Sequence, residues 1–230
     1  MPTKPTLIFV HEAWHTSECW AHGYECIAPQ LDYSGTATPL ESNASSIIQI
    51  QNLIIAATTS GQNMVLVNHS FGGVVGCSSV KGFTQKEPSR LRFGSGEVIG
   101  LIQLAAFLLP LNCSLYDIIG SASREPCHHH GPEGWEITDN GDPQLLFYND
   151  LMPVDRVFWA SKLKDSHLRH FLIERIPTQV GQMCQFGISI AQMMLPFQFK
   201  CKNHLCLKQK KRVQLWLQDT LNQKLNGFYS

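Results

Sequence analysis

The sequence has no apolar run near the roughly 18 residues that a helix needs to span a bilayer. It has no excess of charge either. Eighteen Lys and Arg balance 18 Asp and Glu, so no global field draws the chain to nucleic acid or to an anionic membrane. Its eight cysteines form no CxxC pair, and reduced, partly buried thiols are expected rather than a redox or zinc motif. No internal repeat is present. The apolar stretch 7–10 is too short for a signal-peptide core, which gives the expectation of a cytoplasmic protein. What is there is ample core material: 230 residues with 43% hydrophobic and only 16% charged side chains. That is enough for one domain over 1–230 and rules out a disordered or collagen-like chain.

Local patterns divide the chain. Residues 6–10 (T-L-I-F-V) form a continuous apolar run, suited to a strand buried on both faces. Tyr24 to Ala28 reads as a second short strand, and residues 32–42 as a loop rich in Asp, Ser, Gly, Thr and Pro. Ser45 to Thr58 carries apolar residues at 47, 48, 50, 53, 54 and 55, the pattern of a helix with a wide buried face. Met64 to Val67 is a third strand, Ser70 to Val80 a small-residue helix, 81–97 an exposed polar loop and Val98 to Phe107 a fourth strand. Alternation of this kind implies a parallel sheet with helices on its faces.

From 110 to 175 polar, Gly- and Pro-containing stretches separate short helical pieces at Pro143 to Leu151 and Pro153 to Lys164. This reads as an insertion over the sheet. From 176 the composition shifts once more. No Asp or Glu occurs between Arg175 and Gln218, and 200–212 carries six basic residues. That run reads as a solvated tail, because no aromatic side chains interleave with it to stack on bases. Val213 to Leu225 has the spacing of a terminal helix.

The chemistry concentrates at one junction. M-V-L-V runs straight into N-H-S-F-G-G-V-V-G at 68–76, which matches a nucleophile elbow, G-x-S-x-G, with Asn68 at the first glycine position. A serine at such a turn is held in a strained backbone and projects its hydroxyl from the sheet. At a helix N-terminus it meets N–H groups that favour developing negative charge. The plainer reading is that Ser70 caps a helix whose glycines pack closely. A second signal, His11-Glu12-Ala13-Trp14-His15, directly follows the first strand.

Five separated blocks now agree in order. T-L-I-F-V-H-E-A-W-H-T-S-E-C-W, G-Y-E-C-I-A-P, N-H-S-F-G-G-V-V-G, I-Q-L-A-A-F-L-L-P and L-F-Y-N-D-L-M-P, with F-W-A-S-K-L-K behind the last, resemble the short, esterase-like α/β-hydrolases found widely in fungi. The resemblance spans about residues 5–170. It implies an α/β-hydrolase-like three-layer sandwich with a mostly parallel sheet. A small lid over 110–175 would shape an apolar acyl pocket. The activity implied is a serine hydrolase on carboxylic esters or related acyl compounds, with a small-molecule substrate and no cofactor. Ser70 would be the nucleophile, the N–H groups of Ala13 and Phe71 the oxyanion hole, and Trp14, His15 and His69 pocket residues. Acid and base would follow Ser70 in the chain.

The sequence departs from that pattern in three places. Glu12 stands where the family usually has glycine, and a carboxylate there opposes the charge of an oxyanion unless it turns to solvent. Trp20 to Gly23 is shorter than the helical segment expected there. In the C-terminal third Ile188 to Ile190 reads as the strand that should end in the acid, Leu195-Pro196-Phe197 as the turn, and Gln192 or a neighbour occupies the acid's place. His204 is the only histidine beyond that turn and so the one base to be named there, and Asp117 is a back-up acid. An impaired remnant that binds a small apolar ligand or a partner is therefore the alternative reading. Cys127-His128-His129-His130, and Cys201 and Cys206 flanking His204, are weak metal patterns, since adjacent ligands seldom converge and no partner pair is spaced for zinc. No metal site is expected.

Overall fold

In the computed structural model, residues 4–17, 25–36, 42–84, 87–88, 96–109, 112–115, 128–131, 134–137, 142–166 and 187–189 are described. They fall in two compact units, one drawn from 1–140 and 163–196, the other from 141–162 and 197–230.

The first unit is built on a five-stranded parallel sheet. Its strands are β1 (Thr6–Val10), β2 (Cys26–Ile27), β3 (Met64–His69), β6 (Val98–Leu104) and β9 (Gly187–Ser189), in the order β2-β1-β3-β6-β9. Every residue of β1 and β3 is buried, the outcome expected of continuous apolar runs in a parallel sheet. Helices α1 (Ala44–Thr59) and α2 (Gly72–Ser79) pack on each other and both against β3. The core joins Ile8, Val10, Leu66, Val74, Val75 and Leu101 to Ile50 and Ile54 of α1.

The strand order reverses at β1. From β1 the chain steps outward to β2, then returns on the other side to β3 and onward to β6 and β9. At such a switch point the loops after two neighbouring strands diverge and leave a crevice at the strands' carboxyl ends. The loop after β1 and the turn after β3 therefore share one place, because Val10 is in register with Asn68.

The strands and helices expected up to residue 164 are present, with shorter ends for several, and the helix expected over Val213 to Leu225 lies outside the described residues. The Ile188–Ile190 expectation corresponds to β9, one residue earlier, paired in parallel with Leu101 to Gln103 of β6. Two hairpins correct the sequence reading. Phe83–Thr84 (β4) pairs antiparallel with Glu87–Pro88 (β5) inside the stretch read as loop. His128–Gly131 (β7) pairs with Gly134–Ile137 (β8) inside the polar stretch of the insertion. Pairs this short carry no alternating apolar pattern to read.

The second unit contains α3 (Pro143–Tyr148) and α4 (Pro153–Ala160). Asp142 caps α3 by accepting from the Gln144 N–H at 2.9 Å, and proline opens each helix. Arg156 donates to the carbonyls of Leu151 (2.8 Å) and Asn149 (2.7 Å), satisfying groups that the end of α3 leaves open.

Candidate active site

The turn after β3 has the geometry of a nucleophile elbow. Ser70 has φ 47°, a left-handed conformation that costs a non-glycine residue about 1–2 kcal/mol. The neighbouring backbone holds it there. The Ser70 N–H donates to Leu104 O (3.3 Å), and its carbonyl accepts from Gly73 N–H (3.1 Å) and Phe107 N–H (3.0 Å). Ser70 is half-buried, and its hydroxyl is hydrogen-bonded to no described residue.

Small residues around the serine are required by close approach. A Cβ on Gly72 would collide with the carbonyl oxygen of Val10 and lie 2.6 Å from that of His11. Gly72 thus lets the start of α2 pass directly beneath the end of β1. Asn68, at the position where an elbow usually has glycine, turns its side chain onto Gly76 of α2. It is fully buried, and neither amide atom has a hydrogen-bond partner among the described residues.

The loop after β1 is fixed at two points. His11 is fully buried. Its Nε2 accepts from the Leu31 N–H at 3.0 Å, so Nδ1 carries the proton and donates to the Glu12 carbonyl at 2.8 Å. Burial is the main reason that its pKa is pushed down to about 4, which keeps the ring neutral. Tyr33 donates its hydroxyl to the His11 carbonyl. Burial first, and the Glu12 charge second, raise the Tyr33 pKa well above the ordinary tyrosine range, so it remains a donor. Its ring packs edge-on against Phe71, with centroids 5.1 Å apart. The second fixed point is Trp14, whose backbone is left-handed at φ 64°. Its N–H donates to Ser34 Oγ (2.9 Å), and its carbonyl accepts from Lys164 N–H (2.8 Å).

Between those points Glu12 corrects the solvent-facing orientation allowed for it by the sequence. Its side chain is only 13% exposed, and Oε1 lies 3.1 Å from His15 Nε2 and 3.1 Å from His69 Nδ1. His15 Nδ1 sits 3.0 Å from the Ala13 carbonyl, as a donor. The carboxylate is thus shared by two buried imidazoles.

Of the residues named from sequence, Ser70, Phe71, Ala13, Trp14, His15 and His69 lie in the elbow and in the loop after β1. Ala13 is buried, and its N–H donates to no described group. His204, Gln192, Asp117, Cys19, Trp20, Cys127, Cys201 and Cys206 lie outside the described residues. His128, His129 and His130 occupy successive positions of β7. The roles of His11 and Glu12 escaped the sequence reading, although two polar residues straight after a fully buried strand are a signal that something must pair with them.

No family model matches the sequence. A curated relative, the alpha/beta hydrolase nvfD of Aspergillus novofumigatus (strain IBT 16806), is 29% identical over 120 residues, which are 49% of this chain and 47% of that protein. The match spans about half the length of either. Among solved structures, tomato methylketone synthase I complexed with β-ketoheptanoate aligns over 95% of this chain and 99% of its own, with TM-score 0.63 and 11% identity. A pyrethroid hydrolase from Sphingobium faniae JZ-2 aligns over 95% and 97%, with TM-score 0.63 and 15% identity. A polyneuridine aldehyde esterase variant aligns over 93% and 98%, with TM-score 0.55 and 12% identity. With its parallel sheet, its strand–serine–helix turn and these likenesses, the chain has the α/β-hydrolase fold.

Proposed function

We propose that the protein is a serine hydrolase acting on carboxylic esters or related acyl compounds, with Ser70 as the nucleophile. The observation that carries this reading is the Ser70 backbone at φ 47°. A strained residue held by surrounding hydrogen bonds is the mark of a group whose placement serves a purpose. Two structural neighbours that are named an esterase and a pyrethroid hydrolase support the substrate class, although fold by itself does not fix activity.

In this mechanism Ser70 Oγ attacks the acyl carbon and its proton passes to a base, for which His204 is the residue named from sequence. The carbonyl oxygen becomes an oxyanion received by the N–H groups of Ala13 and Phe71. Collapse expels the alcohol, which takes the proton, and leaves an acyl-enzyme. Water then adds to that acyl carbon, releases the acid and restores the serine. The absence of any carboxylate between 175 and 218 favours a second reading, a chain that keeps the pocket and binds a small apolar ligand without turnover.

Release of p-nitrophenol from esters of graded acyl length separates the two. Turnover that Ser70→Ala abolishes supports the hydrolase. Saturable binding of the same esters with no release above the Ser70→Ala background supports the binding remnant.

A further inference from the structure

We propose that Glu12 is a positioning residue for the oxyanion hole. Through its contact with His69 it holds the loop after β1 against the elbow, and so sets where the Ala13 N–H lies relative to the Phe71 N–H. The inference rests on the serine-hydrolase reading of Ser70.

Two donors that share one oxyanion must be placed to within about half an ångström, yet these two come from different segments. The sheet aligns the segments only as far as Val10 and Asn68. Beyond that pair the loop leaves the ladder. Its anchors at His11 and Trp14 run to Leu31, Tyr33, Ser34 and Lys164, none of which belongs to the elbow. The Glu12–His69 contact at 3.1 Å crosses from loop to elbow. Glu12 is the residue before one donor, and His69 stands two residues before the other.

His15 completes the arrangement from the loop side. Its ring meets the same Glu12 oxygen through Nε2 and the Ala13 carbonyl through Nδ1. The peptide on the far side of Ala13 is thereby held as well.

The test combines labelling by a fluorophosphonate with thermal unfolding, on wild type, Glu12→Gln, Glu12→Ala, His69→Gln and the double variant Glu12→Gln/His69→Gln. A folded Glu12→Ala protein is expected to label about 10- to 100-fold more slowly, a part of the loss seen when an oxyanion donor is removed outright. Glu12→Gln, which keeps an oxygen for His69 Nδ1–H, should fall between it and wild type, and should lower kcat on esters while leaving KM nearly unchanged. Labelling of either folded variant at the wild-type rate overturns the inference and leaves the hydrolase reading intact. If Glu12→Ala does not fold, Glu12→Gln carries the comparison. If wild type itself does not label, the hydrolase reading and the catalytic role of Glu12 fall together. The contact is then judged by Tm alone: a double variant no less stable than the worse single supports it, and additive Tm losses overturn it.

Discussion

Glu12 Oε1 lies 3.1 Å from His69 Nδ1, so the loop after β1 reaches the residue that precedes the serine of the elbow. The same oxygen meets His15 at 3.1 Å. A carboxylate that reads in sequence as a misfit beside an oxyanion hole is, in the folded chain, enclosed between two imidazole rings.

The elbow glycines predict a sharp contrast in stability. At Gly72 a methyl group would meet backbone carbonyl oxygens of Val10 and His11, which cannot turn aside. Gly72→Ala is expected to lose at least about 3 kcal/mol or to fail to fold. At Gly100 the nearest atom to an added Cβ is 3.8 Å away on the Val65 side chain. Gly100→Ala should be neutral or stabilising by up to about 1 kcal/mol. Urea unfolding of the two variants checks both, and equal losses would contradict the account of the elbow.

Strain at Ser70 sets a trade between stability and nucleophile. Ser70→Gly is expected to be more stable than Ser70→Ala by about 1 kcal/mol, since only glycine adopts φ 47° without cost. Both variants lack the hydroxyl, so the comparison isolates the backbone. Equal Tm values for the two would show that the turn relaxes in solution.

Asn68 predicts a gain from a polar residue removed. Its side chain is fully buried, with neither amide atom paired to a described residue, and an unsatisfied buried group costs about 1–3 kcal/mol. Asn68→Ala should therefore be at least as stable as wild type despite the volume lost. A clear fall in the denaturation midpoint would mean that the amide has partners in solution.

His11 predicts a pH dependence with a definite sign. Its unfolded imidazole protonates near pH 6.5, its folded one only near 4. Between those values the unfolded chain binds the extra proton, so the contribution is full above pH 6.5 and is lost progressively as pH falls toward 4. The total is about 3 kcal/mol, from the ~1.4 kcal/mol per pH unit of linkage. Unfolding free energies measured across this window should fall with acid, and His11→Gln should flatten the fall. An unchanged slope in the variant would assign the effect elsewhere.

The sheet was legible because its strands are written as unbroken apolar runs. T-L-I-F-V and M-V-L-V read as buried strands and are buried throughout. The elbow was legible because a strand, a serine and closely spaced glycines impose one local geometry. The hairpins at Phe83–Thr84 and His128–Gly131 were not, since two to four residues with proline, glycine or histidine show no period. The pairing of Glu12 with His69 was also beyond reach. It depends on parallel register bringing two distant segments together, and composition carries no record of which face a single carboxylate takes.

The central claim, that Ser70 is an activated nucleophile, is tested most directly by intact-protein mass spectrometry after a fluorophosphonate probe, with Ser70→Ala alongside. The account predicts one adduct on the folded wild-type protein, mapped to Ser70, and none on the variant. A folded wild-type protein that stays unmodified, or an adduct that persists in Ser70→Ala, would contradict it.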